Sequence, residues 1–500
     1  MKLNRNYIWL LSGALFLNGC IKDKGNYDLL TGNKVDVKYA NPSVVLYVGD
    51  TLRLDPVRTF SNPADTADFD HKWYANGKFY SDKPRLELAA TETAGYTFAY
   101  YMTDRKSGIT YSPAVYLTVS ISSRYIQNWG ILYQDANGNT ELAHVNPDAN
   151  GTTYTNYTGL YQKANGVPAG TQPVKMRYYN MRGTPCLFVI QKGAPGALDL
   201  SAADMKKKLV VSQSFTQGNA PADFEAVDMA FYNTADMVVT KSGDVYGRFF
   251  NGAAVFTIPW MSTPMSVARG CKITDIWDSW YKTTLIAFMY DRLNKRVLQS
   301  NLAGYTPNGG VTIDSLPLPV TPYPADYTSL HNLGDWEYIW GGTFHDSYGF
   351  ANGALLIRNP ADGQVYYEDF AYKNGMGQPN ILTPGKRILF PGSSLINSKT
   401  RYAPIKNRDY LFYSGGADNK QLYYFDALSG TQKTYITLPS PITSVTAHDN
   451  LPQMAVGLED GTFLLYDVSN EVMLSGQPKE LYRLSGLGKV VDIVFKSYSY

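Results

Sequence analysis

Three short aromatic clusters carry the side chains best suited to gripping a ligand. They are "IPWMSTP" with Trp260, "DIWDSWYK" with Trp277, Trp280 and Tyr281, and "DWEYIWGGTFHDSYGF" with Trp336 and Trp340. Indole and phenol rings join an apolar face to a polar edge, which suits sugar rings and peptide side chains alike. The same residue types also fill gaps between packed sheets, so each ring is either a binding platform or a core filler. Asp275 and Asp278 in the second cluster have the chemistry of a glycosidase carboxylate pair, although a chain with 43 acidic residues offers many such pairs. The five histidines, His71, His144, His331, His345 and His448, are scattered and lack metal-ligand spacing. His345 and Asp346 are strand neighbours, whose side chains point to opposite faces. No G-x-S-x-G, P-loop or H-E-x-x-H pattern occurs. "DANGNTE" (Asp135 to Glu141) approaches a calcium loop, but its glycine stands fourth where such a loop needs it sixth. A hairpin turn explains the same residues. The expectation is binding without turnover, with no metal and no cofactor. The rival reading is a propeller lyase or glycosidase acting on polysaccharide.

The elements that must position these side chains are strands. From residue 125 the chain repeats a strand, a turn and a strand. "MAVGLEDGTFLLYDV" near the C-terminus is matched by "YLFYSGGADNKQLYYFDAL", with Tyr423 to Asp426 standing against Leu464 to Asp467. Weaker copies begin near residues 129, 186, 237, 284 and 354, making seven hairpins spaced as propeller blades with loop insertions are. The first hairpin, Trp129 to Val145, has no strand before it, and "KVVDIVFKSY" at the C-terminal end has no hairpin after it. Joining the two completes one blade and leaves no open edge. The expectation is a seven-bladed β-propeller over residues 125–500, closed by its terminal strands. "SAADMKKKL" predicts one short helix within it.

Residues 34–121 read as a separate Ig-like β-sandwich. "HKWYANGKFY" sets Trp73 before an Asn76-Gly77 turn, the strongest short hairpin signal. "AGYTFAYYMTD" alternates Tyr96, Phe98 and Tyr100, and "VYLTV" alternates Val115, Leu117 and Val119. Trp73 is expected to fill the core. Aromatics make up 14% of the 500 residues and charged residues only 18%, a balance that suits an all-β protein outside the cytoplasm.

The first 19 residues carry Lys2 and Arg5 and then "YIWLLSGALFL", an apolar run too short to span roughly 30 Å of hydrocarbon. They read as an export signal. Without Lys2 and Arg5, the 45 basic residues fall level with the 43 acidic ones, so no basic field for nucleic acid exists. Leu17, Asn18 and Gly19 lead into Cys20, which resembles the bacterial lipobox, whose cysteine becomes an acylated N-terminus. Residues 20–33 then form a polar, glycine-bearing tether. Of the other cysteines, Cys186 and Cys271 are expected to be buried thiols.

"DKGNYD" (Asp23 to Asp28) closely resembles the opening of the PKD-like lipoproteins of Bacteroidota, and "GYTFAYYMTD" resembles the corresponding strand of PKD domains. The resemblance implies a lipid-anchored outer-membrane protein facing the cell exterior. It further implies an accessory binding or scaffold role beside a SusC/SusD-like transporter that imports glycan or peptide. Ile21 interrupts the acidic run that marks surface export in that phylum, and Lys22-Asp23 matches it in part.

Two or more acyl chains bury enough CH₂ groups, at about 0.8 kcal/mol each, for stable membrane attachment. Cys20→Ala is therefore expected to release the protein from membrane fractions or leave its precursor uncleaved. Continued palmitate labelling and membrane residence of that variant would refute the assignment.

Overall fold

The computed structural model describes residues 34–62, 68–148, 151–231, 235–278, 286–302, 311–347, 349–374, 379–406 and 408–497. Cys20, Trp280 and Tyr281 lie outside them. The chain divides into two compact units, Met1–Ser122 and Ser123–Tyr500.

The first unit is a β-sandwich. Ser43–Tyr47, Leu117–Ser122, Ala94–Asp104, Phe69–Ala75 and Lys78–Ser81 form one sheet in that order, with Thr110–Tyr111 beside Ala94–Asp104. Thr51–Leu54 pairs with Leu86–Ala89, and Val35–Lys38 pairs with Val57–Phe60. The period-two pattern of the long strand sends Phe98, Tyr100 and Met102 inward, all but fully buried. Trp73 is buried among them, with its ring centroid 4.6 Å from that of Tyr100 and its indole N–H donated to the Lys83 carbonyl at 3.0 Å. It is a core residue. Asn76 and Gly77 take φ of 49° and 79°, the left-handed pair a tight two-residue hairpin requires. Val115 departs from its expected inward place: it is exposed, because the strand starts only at Leu117, from which Leu117, Val119 and Ile121 alternate inward.

The second unit is a propeller of seven sheets. Its innermost strands, from the first blade to the seventh, are Lys489–Lys496, Pro173–Met181, Ala226–Phe231, Ile273–Asp278, Glu337–Ser347, Tyr402–Pro404 and Ile442–Ala447. Each touches the next and the last touches the first, so together they enclose a central channel. Lys489–Lys496 comes from the C-terminal end and pairs antiparallel with Asn128–Gln134, running from Lys496 opposite Asn128 to Lys489 opposite Gln134. Thr140–Pro147 and Tyr154–Tyr157 complete that first blade.

The second and third strands of the blades are covered on both faces. Ala287–Asp291 is buried at every position, so it reads as a continuous apolar run rather than an alternating one. Between blades the cores are apolar: Trp129, Ile131 and Ile493 of the first pack on Phe463 and Leu465 of the seventh. Among the described residues blade three has three strands, Ala226–Phe231, Ala235–Thr240 and Val245–Phe249. Its edge is covered instead by a loop, in which the Met261 and Met265 N–H groups donate to the Gly247 and Val245 carbonyls at 2.9 and 2.7 Å. Pro259 and Pro264 flank these donors and keep the loop from continuing as a strand.

The helix expected over Ser201–Leu209 is absent. That segment is the turn between strands Leu198–Ser201 and Lys207–Val210 of blade two. Leu198 and Leu200 are fully buried there, and the need to complete the blade outweighs the local helix propensity of the lysines. Short helices occur elsewhere, at Leu160–Asn165 and Asn470–Ser475. Cys186 and Cys271 are buried free thiols in different blades.

Removing residues 488–500 would strip the first blade of its inner strand and open the ring on both sides. Calorimetry of that truncation is expected to show loss of the propeller transition while the sandwich transition persists. An unchanged propeller transition would show that the seam is dispensable.

Candidate functional site

Six of the seven innermost strands carry the same irregularity. Their pairing with the second strand of the blade skips one residue: Val491, Val174, Val227, Thr274, Ile339 and Thr443 in blades one to five and seven. Such a bulge bends the strand and re-aims the side chain that follows. The residues that follow are Asp492, Lys175, Asp228, Asp275, Trp340 and Ser444. Five of them line a channel of about 750 Å³, to which blade six adds Arg401 and Tyr402. Asp228 stands behind the wall and holds two of its cations.

The charged half of this ring is closely knit. Lys175 Nζ donates to Asp228, and Arg177 grips the same carboxylate through Nε at 2.8 Å and Nη2 at 3.0 Å. Burial alone would raise the Asp228 pKa, but the Arg177 and Lys175 charges and hydrogen bonds overcome it and hold the pKa at about 2. Asp492 joins three strands. Its Oδ2 accepts the Met176 N–H of blade two at 2.9 Å, and its Oδ1 accepts the Ser444 hydroxyl of blade seven at 3.2 Å and its neighbour Ile493 N–H at 3.0 Å. Burial pushes the Asp492 carboxyl above its ordinary value, opposed by the Met176 N–H and the nearby Lys175 and Arg177.

Asp275 is held differently. Tyr338 donates its hydroxyl to Oδ2 at 2.5 Å, and Tyr338 itself lies in an aromatic stack between Tyr290, 4.0 Å away and nearly parallel, and Trp277 at 6.0 Å. Burial raises the Asp275 carboxyl, the Tyr338 hydrogen bond and Lys175 lower it, and Asp228 adds a further push upward. Gly341, on the adjoining inner strand, makes the close packing possible: a Cβ there would stand 2.7 Å from the Tyr338 hydroxyl and 2.8 Å from the Trp277 ring.

The aromatic residues singled out from sequence separate accordingly. Trp277 and Trp340 both line the channel; Trp277 is 7% exposed and braced by Tyr338, and Trp340 is half-buried with its ring 5.5 Å from Tyr402. Trp260 is not available to a ligand. It is wholly buried beneath Arg248, whose guanidinium lies 4.7 Å from the ring and binds Asp199 at 2.9 Å and Asp236 at 2.6 Å. The Trp260 ring face attracts this buried cation and covers its ion pairs with Asp199 and Asp236. Trp336 is half-buried away from the channel, with one face occupied by Arg387 at 4.3 Å. Trp280, Tyr281 and the side chain of Asp278 lie outside the described residues. His345 bonds Asp409 at 3.0 Å. The Asp135 carboxylate accepts the Asn137 and Asn139 N–H groups, as a hairpin turn requires.

Lys175, Arg177, Asp228, Tyr338, Arg401, Tyr402, Ser444 and Asp492 escaped the sequence reading. A signal for some of them exists: "VDM" at 227, "TDI" at 274 and "VDI" at 491 place an acid between apolar or β-branched residues in three of the seven blades. A charge inside an otherwise apolar inner strand marks a wall that faces water.

Residues 20–173 match the PKD-like family. No curated protein matches the chain. Among solved structures, a quinonprotein alcohol dehydrogenase-like protein from Bacteroides thetaiotaomicron is 12% identical, with 92% of this chain and 99% of that one covered and a TM-score of 0.39. Sqt1 of Saccharomyces cerevisiae is 13% identical over 65% of this chain and 78% of its own, at 0.39. The dihydro-heme d1 dehydrogenase NirN is 11% identical over 85% and 75%, at 0.37. At these scores the likenesses carry no argument, and the propeller rests on its own sheet pairings.

The lowered pKa of Asp228 has a consequence for stability. A carboxyl held lower in the folded than in the unfolded chain contributes stability above the unfolded value near pH 4, and that contribution is lost as pH falls through about 2. Its size is about 2 kcal/mol. Urea unfolding at about pH 7 and about pH 2.5 is expected to show this difference in the native protein and to lack it in Asp228→Asn. An equal pH dependence in the two proteins would contradict the pairing.

Proposed function

We propose that this protein captures a polar ligand in its propeller channel while a lipid on Cys20 holds it at the outer membrane. In this reading it is an accessory binding component of a SusC/SusD-like uptake system, facing the cell exterior, and its ligand is a glycan or peptide. The observation that carries the reading is the bulge-aimed ring, which turns Lys175, Asp275, Trp340, Ser444 and Asp492 into one channel. Its volume lies within the usual range of small-ligand sites, and its wall mixes aromatic faces with fixed hydrogen-bonding groups. Such a wall suits sugars and peptides, which present apolar faces edged by polar groups. The membrane and transporter parts of the reading are supported by the resemblance of Asp23 to Asp28 and by the family match over residues 20–173.

Binding without turnover is favoured by how the acids are engaged. Asp228 and Asp492 spend their oxygens on the protein itself, as a structural or recognition wall does. The test is a screen of glycan and peptide libraries against the purified protein, with product analysis of every hit. Trp340→Ala is expected to weaken binding by about 2 kcal/mol or more, as truncating a binding anchor does, alongside some loss of melting temperature because the half-buried ring also packs on Tyr402 and Phe344. Released product would favour the lyase or glycosidase reading, and unchanged binding in this variant would remove the channel as the site.

A further inference from the structure

We propose that a buried proton locks the joint between blades two and three: below neutral pH Asp236 stands as a neutral carboxylic acid beside Arg248, and its ionisation loosens the joint.

The starting point is a charge count in a place without water. Asp199 of blade two and Asp236 and Arg248 of blade three are all 0% exposed, within an apolar cluster that includes Phe188, Val238 and Trp260. The other ionisable groups that face them are the Tyr179 phenol and the Cys186 thiol of blade two. Burial pushes both well above their ordinary values, so both are uncharged. One guanidinium therefore faces two carboxyls. With both ionised, a net negative charge would be sealed in an apolar medium, and a buried group in that position takes up a proton instead.

The hydrogen bonds show which carboxyl takes it. Asp199 is served at both oxygens: Tyr179 donates its hydroxyl, 2.6 Å from Oδ1 and 2.7 Å from Oδ2, and Arg248 Nη1 donates to Oδ2 at 2.9 Å. Asp236 receives Arg248 Nε and Nη2 on Oδ2 alone, at 2.9 and 2.6 Å. Its Oδ1 has no partner among the described residues. A carboxylate spreads its charge over both oxygens and is poorly served where one is bare. The neutral acid carries its proton on that bare oxygen and keeps both Arg248 bonds on the other. Burial accordingly raises the Asp236 carboxyl to about 7, against the pull of Arg248 and with a further push from Asp199.

This dependence runs opposite to that of Asp228. A carboxyl raised above its unfolded value contributes stability that is full below about pH 4 and is lost as pH rises through about 7. Tyr179 shares its strand with Tyr178 and Asn180, which line the channel, so the lock stands behind the channel wall.

The experiment is infrared spectroscopy and calorimetry on the full chain in detergent, between about pH 5.5 and about pH 8. The native protein is expected to show the carbonyl stretch of a protonated aspartic acid that fades as pH passes about 7, while the propeller transition moves to lower temperature. Asp236→Asn, whose neutral amide copies the acid, should lose this band and this shift. Asp199→Asn leaves Arg248 one carboxylate to face, so Asp236 should ionise and the band should vanish at every pH tested; this variant decides if Asp236→Asn does not fold. Tyr179→Phe, which touches only Asp199 of the two carboxyls, should leave the band where it is. Absence of the band from the native protein, or its persistence in both Asn variants, overturns the lock. A band displaced by Tyr179→Phe places the proton on Asp199 and overturns the assignment to Asp236.

Discussion

A ring of sheets is stable only when no blade is left with an unpaired edge, and here a single strand meets that demand. Lys489–Lys496 is the innermost strand of a blade whose other three strands lie more than three hundred residues earlier in the chain. Asp492 fastens it on both sides, to the Met176 N–H of the blade that follows and the Ser444 hydroxyl of the blade that precedes. A second tie, from the Thr446 hydroxyl to the Ile493 carbonyl at 2.7 Å, reinforces the same joint. Unmade backbone bonds are expensive in a buried setting, so the channel, its bulges and the charges they aim all presuppose this closure.

The joint and the candidate site are made from the same positions. Each bulge takes one residue out of register, five of the six turn the successor into the channel, and the chain uses that place for an acid, a cation, a tryptophan or a serine according to the blade. Asp228 and Asp492 spend themselves on cohesion, whereas Lys175 and Asp275 bond to Asp228 and Tyr338 and also line the channel. Polar groups on an inner strand would be costly in a sealed core. They are tolerated because the axis of a seven-bladed ring is wide enough to admit solvent.

Much of the architecture was legible because blade strands are covered on both faces. "LIAFMY" and "MAVGL" stand out as dense apolar runs, and Asp460-Gly461 and Asn76-Gly77 punctuate the chain where φ must be positive. The site was harder to read. A bulge is a property of two strands taken together, so nothing in "TDIWD" alone says that Thr274 falls out of register. The tryptophans illustrate the same limit: Trp260 and Trp340 sit in similarly aromatic stretches, yet a buried arginine from another strand decides that one is core and a channel decides that the other is wall. The lysines of Ser201–Leu209 suggested a helix because propensity is local, while the vacancy they fill in blade two is not.

The seam also sets an order of events during synthesis. Residues 128 and 496 meet across nearly the whole propeller, and contacts of such long sequence separation form late and slowly. The strands of blades two to seven can be complete while the first is still missing its inner strand. Without Lys489–Lys496 the ring would be open between blades seven and two, with Asn128–Gln134 as an unpaired edge. Assembly is thereby gated on closure: the inner ring is whole only once Lys489–Lys496 has joined Asn128–Gln134.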